Sequence, residues 1–276
     1  APSTPQVHRL QPADAARWDE FVMGCSEATF FHRAGWQQVL ERAFGHRAYY
    51  LYAEADGRIE GILPLGHLRS RLFGNALVSL PFCVYGGVAA MSEAARAALE
   101  RAARELAAQL QVDNRAPRHG DWINKDLYVT FRKSLDPDPE KNFLAIPRKQ
   151  RAMVRKGIDA GLHGILDDDI GRFYNTYADS VPRPGTPLFS KNCFQVLKEV
   201  FGADCEVLTI MQNDHTISSV MSFYFKDEVL PYYGGGTRAA REVAGNDFMY
   251  WELMRRACAR GLRVFDYGRS KQGTGP

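Results

Sequence analysis

The alternation of apolar and polar positions in this chain repeats itself. One stretch, YYLYAEADGRIEGILPLGHL followed by ALVSLPFCVYGG, has a counterpart in EVLTIMQNDHTISSVMSFYF followed by DEVLPYYGG. Each copy reads as an apolar strand, a tight polar turn, a second alternating strand and a third strand. The turns are Asp56-Gly57 and Asn213-Asp214, and the third strands end in Tyr85-Gly86-Gly87 and Tyr233-Gly234-Gly235. A helical pattern follows each copy. The period is too long for a solenoid, so the repeat predicts two related domains.

The remaining periodicities fill in the elements. A short strand is expected near Val7–Leu10, then a helix in DAARWDEFVMGC capped by Asp14. ATFFHRAGWQQVLERAFG reads as one helix, with Trp36, Val39, Leu40 and Phe44 at a 3.6-residue period. An Ala-rich helix, Ser92–Leu110, has Ser92 as its cap. Residues 126–133 (DLYVTFRK) alternate like a strand, and the prolines and charges of SLDPDPEKN then suggest a linker. That reading divides the chain into domains 1–136 and 137–276. Helices are expected from Pro147 to Gly161, around Asp169–Val181, over Lys191–Phe201, and over Asn246–Arg260 with Asn246 as cap; the strand RVFDYG closes the pattern. Hairpin strands with interleaved helices predict an α/β (α+β) class with mixed, largely antiparallel sheets.

With 276 residues, 45% apolar and 24% charged, the chain has the make-up of a globular protein of two ordinary domains. A net charge of +3 selects no partner by itself. The five cysteines, Cys25, Cys83, Cys193, Cys205 and Cys258, are odd in number and widely spaced, which reads as reduced thiols. Cys83, without a nearby histidine in sequence, reads as a small buried residue. No metal motif is visible. APSTPQVHRL has no apolar run of a signal peptide, and no segment approaches the ~18–20 apolar residues of a membrane span, so the expected location is cytoplasmic.

Three clusters carry candidate chemistry. In IPRKQRAMVRKGIDAG, Arg148, Arg151 and Arg155 stack along one helical face with Lys149 and Lys156 beside them. This is either a solvated basic face or a clamp for phosphate, to which the planar guanidinium fork is suited. Tyr232, Tyr233, Gly234 and Gly235 end a strand ahead of the helix starting near Asn246. Such a corner offers close backbone approach and unpaired helix N–H groups to an anionic ligand, although glycine corners are also ordinary turn chemistry. FDYGRSKQGTG crowds Asp266, Tyr267, Arg269, Ser270 and Lys271 at a strand end, as a site or as a salt-bridge cluster.

RKQRAMVRKG, DEVLPYYGGGT, NDFMYWELMRRACARG, VFDYGRSK and, in the first half, LVSLPFCVYGG resemble the FemAB-like proteins associated with exosortase/PEP-CTERM systems, a branch of the Fem-type, GNAT-related transferases. The resemblance implies two tandem GNAT-like (acyl-CoA N-acyltransferase-like) domains. It implies an acyl- or aminoacyltransferase acting on an amine or hydroxyl acceptor in cell-envelope or exopolysaccharide biosynthesis. It implies no tightly bound cofactor, a donor that is aminoacyl-tRNA or acyl-CoA, and a small-molecule or nucleotide-linked glycan or peptide acceptor. tRNA and envelope-assembly machinery are the implied partners. The [QR]xxGx[GA] pattern that binds the CoA pyrophosphate is displaced here: in Arg241-Glu242-Val243-Ala244-Gly245-Asn246 the glycine comes one position late. Members of that family continue past the GTG with an aromatic strand segment, whereas this chain ends at Pro276, so the resemblance implies a truncated C-terminus.

Acyl transfer to an amine needs a proton acceptor, oxyanion stabilisation and help for the leaving group. The expected assignment is Asp266 as base or amine-orienting carboxylate, Lys271 and Arg269 for charge stabilisation, and Tyr233 as acid or hydrogen-bond donor. The competing reading is a non-catalytic RNA- or nucleotide-sugar-binding module of the same fold. A structural partner in exopolysaccharide assembly is a third.

Overall fold

The structure, a computed structural model, describes residues 3–70, 74–112, 128–180 and 188–271. The chain separates into two compact units, Ala1–Lys125 and Asp126–Pro276.

The first unit runs β1 (Gln6–Arg9), α1 (Ala15–Gly24), α2 (Gly35–Phe44), β2 (Arg47–Ala55), β3 (Arg58–Ser70), β4 (Gly74–Ser79), β5 (Ala89–Ala90) and α3 (Glu93–Gln109). Its antiparallel sheet has the order β1-β2-β3-β4, with β5 also on β3. Tyr49, Leu51, Ala53, Leu63 and Leu65 of the sheet pack on Ala95 and Leu99 of α3. Ser92 caps α3 as expected, accepting the Ala95 N–H.

The second unit runs β6 (Tyr128–Ser134), α4 (Pro139–Leu144), α5 (Arg148–Asp159), β7 (His163–Leu166), α6 (Ile170–Ser180), α7 (Lys191–Phe201), β8 (Cys205–Gln212), β9 (His215–Phe225), β10 (Glu228–Gly236), α8 (Arg238–Glu242), α9 (Gly245–Ala259) and β11 (Val264–Lys271). Its sheet has the order β6-β11-β10-β9-β8-β7. Among the described residues, only β10 and β11 are parallel, and they pair at just two positions, Glu228↔Val264 and Val229↔Phe265. One face of this sheet packs Leu208, Val220, Val229 and Phe265 against Phe248, Met249 and Leu253 of α9.

The two copies share a defect as well as an order. In the first, the β2–β3 register shifts between Ala53 and Glu54, leaving Glu60 as the extra residue on β3. In the second, the β8–β9 register shifts between Ile210 and Met211, leaving Ile217 as the extra residue on β9. Both bulges stand at the same distance from their turns. Both extra carbonyls accept a backbone N–H from just before the next helix: Met91 to Glu60 at 2.8 Å and Thr237 to Ile217 at 2.9 Å. A bulge repeated with its hydrogen bond is a designed feature of a strand pair, and it supports the duplication independently of the strand pattern.

Several expectations change. The third strand of the first copy stops at Ser79, and Tyr85-Gly86-Gly87 lies in the irregular stretch beyond it. Leu80 and Phe82, on either side of Pro81, have φ of 46° and 69°, which no strand can continue. The helix read through ATFFHRAGW begins only at Gly35, after a 3₁₀ turn at Phe30–His32. Asn246 is not the cap of α9: Ala244, at φ 56°, holds that position and Asn246 sits in the first turn. The strand Tyr128–Ser134, read as the end of the first half, pairs antiparallel with β11. The contacts therefore divide the chain ahead of this strand, and the proline-rich SLDPDPEKN lies inside the second unit.

Candidate functional site

The site follows from the two-position pairing of β10 and β11. After Phe265, β11 continues against β6, while β10 continues against β9 alone. The two parallel strands thus part, and among the described residues no strand lies beside the edge of β10 from Tyr232 to Gly236 on the β11 side. A bulge between Pro231 and Tyr233 takes Tyr232 out of the ladder with β9. A pocket of about 220 Å³ opens there, lined by Val220, Pro231, Tyr232, Tyr233, Gly234 and Gly235, and by Asn246, Met249 and Tyr250 from the start of α9. The helix end adds first-turn N–H groups that have no partner within the helix.

The glycines have packing reasons of their own. A Cβ on Gly235 would lie 2.0 Å from Ser180 Oγ and 2.9 Å from the Thr176 carbonyl oxygen. A Cβ on Gly236 would lie 2.7 Å from Asn246 Oδ1. Bare backbone is what seats β10 on α6 and under α9.

Five residues singled out by sequence meet in this pocket: Tyr232, Tyr233, Gly234, Gly235 and Asn246. Tyr233 is 8% exposed, its ring held among Tyr177, Phe189, Phe194 and Phe223. Asp266 is absent from the lining. It is 1% exposed, accepts the Gly268 N–H at 2.8 Å, and lies 3.8 Å from the Arg132 guanidinium. It shapes the bulge that follows it in β11, where the register shifts between Asp266 and Arg269. Arg269, Ser270 and Lys271 continue that strand, but their side chains lie outside the described residues. The α5 cations are not brought to this pocket. Arg148, Lys149, Arg155 and Lys156 are exposed on α5, and Arg151 donates to the Leu144 carbonyl at 2.8 Å.

Sequence reasoning missed Tyr250 and Met249. Both read as ordinary apolar positions of an amphipathic helix, yet Tyr250 falls one turn after Asn246 and so shares its face. The Tyr250 ring stacks on Tyr267 of β11, centroids 6.2 Å apart and planes 24° apart. Burial pushes the Tyr250 hydroxyl above its ordinary value, and burial followed by the neighbouring Tyr250 pushes Tyr267 up to about 12. Both phenols therefore keep their protons at neutral pH and serve as hydrogen-bond donors.

In place of the glycine of the displaced CoA pattern stands Ala244, whose left-handed φ of 56° is one that glycine favours. The backbone bend survives the change of residue.

Residues 148–273 match the family model described as an acetyltransferase (GNAT) domain. Among solved structures the chain is similar to FemX, at 13% identity and a TM-score of 0.72 over 98% of this chain and 90% of that one. It is also similar to a tandem GNAT protein from the clavulanic acid biosynthesis pathway, at 11% identity and a TM-score of 0.54 over 99% and 91%. L-PGS from Bacillus licheniformis is similar at 11% identity and a TM-score of 0.52 over 96% and 78%. No curated protein matches the sequence. These likenesses establish the fold: two tandem GNAT-like domains with mixed, mostly antiparallel sheets, as the repeat predicted. No helix among the described residues is long and apolar enough to cross a membrane.

Proposed function

We propose that this chain is an acyl- or aminoacyltransferase, with transfer in the wedge where β10 and β11 part, to an amine or hydroxyl acceptor used in building the cell envelope or an exopolysaccharide. The observation that carries this reading is the wedge itself. A bulged strand that parts from its parallel neighbour faces a pocket at the start of a long helix, inside the stretch that matches the acetyltransferase (GNAT) domain. The envelope setting and the exosortase/PEP-CTERM association rest on the motifs alone.

In this reading the donor carbonyl lies along the β10 edge. The acceptor nitrogen or oxygen bonds to the carbonyl carbon, the carbonyl π electrons move to its oxygen, and backbone N–H groups of the pocket wall support that oxyanion. Collapse re-forms the carbonyl and expels the thiolate or alkoxide, which takes a proton. Tyr250, protonated and at the pocket wall, is placed to hydrogen-bond the leaving group. Tyr233 fixes the strand by its ring packing and faces the pocket. Asp266 acts through the shape of β11, so the acceptor proton leaves to solvent or to the substrate itself. Lys271 and Arg269 keep their reading as charge stabilisers. Donor phosphates would meet the first turn of α9 beside Asn246.

The test supplies the intact protein with labelled acetyl-CoA in one arm and a labelled aminoacyl-tRNA in the other, each with an amine-bearing nucleotide-linked glycopeptide. Label in the acceptor, reduced in Tyr250→Phe, is the expected result. Salt-sensitive binding without label transfer would instead favour the non-catalytic RNA-binding module. An unchanged turnover in Lys271→Ala would remove that residue's role.

A further inference from the structure

A larger cavity, about 460 Å³, lies within the second unit on the other side of α9 from the wedge. Its size is typical of small-molecule sites, roughly 300–1,000 Å³. Asn246, Met249 and Tyr250 line the wedge, whereas Phe248, Trp251, Glu252 and Arg255 line this cavity. At 100° per residue these two sets occupy opposite faces of one helix.

The chemistry of the cavity is specific. Its aromatic side is Phe143 and Trp251, with centroids 4.9 Å apart and planes at 57°, next to Phe248. Ile158 of α5 stands at its wall and is 49% exposed, an apolar side chain left uncovered. Its charged side is anchored by Glu252, which is 4% exposed. That carboxylate accepts two hydrogen bonds from Arg255 and one from Arg256, all at 2.9 Å, and Arg256 also donates to the Gly164 carbonyl at 2.8 Å. Gly164 is a glycine because a Cβ there would lie 2.8 Å from Glu252 Cγ. Two guanidinium groups therefore share one saturated carboxylate, held in place before any ligand arrives. Arg155, outside the lining, holds its guanidinium carbon 5.5 Å from the Phe143 ring centroid. Against these stands Glu140, the other carboxylate of the lining, with His163 nearby. This is the cavity that the basic run of α5 borders, the run the wedge did not take up.

We propose that this cavity is a second binding site, for a planar aromatic or heteroaromatic ring carrying an anionic group. The ring lies against Phe143 and Trp251, and the anion meets the fork of Arg255. Free phosphate would leave the aromatic side uncovered. Arginine over an aromatic ring is itself suited to a stacked anion, because the fork and the flat face act together.

Calorimetry on the intact protein tests this without any turnover, so its outcome is independent of the transfer reaction. The probes are adenosine 5′-monophosphate and naphthalene-1-sulfonate, with adenosine and inorganic phosphate as their separate halves. At least one aryl anion should bind, with the matching halves about tenfold weaker or worse. If the nucleotide binds and the sulfonate does not, the anion is a nucleotide phosphate. Ile158→Trp fills the cavity from an exposed position, and Arg255→Ala removes a fork; each should weaken binding about tenfold. Tyr250→Phe, on the opposite face, should leave it unchanged. No binding of either aryl anion at millimolar concentration would overturn the proposal. So would binding indifferent to Ile158→Trp, or adenosine binding as tightly as its monophosphate.

Discussion

At the scale of the residue, burial decides which titratable groups act and which are fixed. His32 is 2% exposed, and burial pushes its imidazole down to about 4 from an ordinary 6.5, against the opposing effects of Gly87 and Glu27. The Thr29 N–H donates to Nδ1 at 3.1 Å, so the proton sits on Nε2 and faces the Gly87 carbonyl at 3.3 Å. A second proton would displace the Thr29 donor. The unfolded chain accepts that proton near pH 6.5 and the folded chain only near 4. His32 thus leaves stability intact above pH 6.5 and withdraws about 3 kcal/mol as pH falls to 4. NMR of the ring protons checks this: His32 should show no midpoint between pH 5 and 8, and a midpoint near 6.5 would contradict it. Tyr250 carries the matching prediction at the wedge. Tyr250→Phe should keep the fold and lower kcat by about 10²-fold, the size of a lost proton donor, as read in steady-state transfer assays. Tyr232, Tyr233, Gly234, Gly235 and Asn246 were legible because tyrosines beside glycines break an apolar strand pattern. Tyr250 was not, since an aromatic residue on a helix looks like core until its helix is placed. Asp266 shows the converse: a carboxylate at a strand end reads as a base, while in the structure the Gly268 N–H and Arg132 meet it.

At the scale of the element, composition and hydrogen bonding pull apart at SLDPDPEKN. Two prolines and a charge run read as a linker, yet Asn142 stitches the segment shut. Its Oδ1 accepts the Asp136 N–H at 2.9 Å and its Nδ2 donates to the Asp136 carbonyl at 2.7 Å, while Asp138 caps α4 by accepting the Glu140 N–H at 3.0 Å. Asn142 is 2% exposed, so its removal would strand buried backbone groups. Asn142→Ala should cost roughly 2–3 kcal/mol in urea unfolding of the second unit; a loss below about 0.5 kcal/mol, ordinary for a surface position, would show the segment to be a tether. The hairpins were legible because period-2 alternation and a polar turn suffice to specify them. The end of β4 was not, because ALVSLPFCVYGG is apolar throughout and only the positive φ at Leu80 and Phe82 breaks it. The four-residue β7 was missed as well, although the duplication offers β1 as its counterpart.

At the scale of the whole molecule, both units contain a run of strand, two helices, three antiparallel strands and a following helix (β1 to α3 and β7 to α9), and each places a bulge at the same point. By that order β6 follows the first copy as β11 follows the second, yet β6 lies in the second sheet, beside β11. Periodicity can find a strand but cannot name its partner, so the sequence reading put β6 with the first half, whereas its hydrogen bonds run to β11. The pairing has an energetic consequence. Arg132 of β6 forms ion pairs with Glu228 and Asp266, on β10 and β11, at the root of the wedge. Without β6, Asp266 would lose this cation, and β11 would present an open edge. A fragment spanning 126–276 should therefore unfold in urea as one cooperative transition. A fragment spanning 137–276 should aggregate or melt without cooperativity. Equal midpoints for the two fragments would show that β6 contributes nothing to the second unit and would return the boundary to the proline-rich segment.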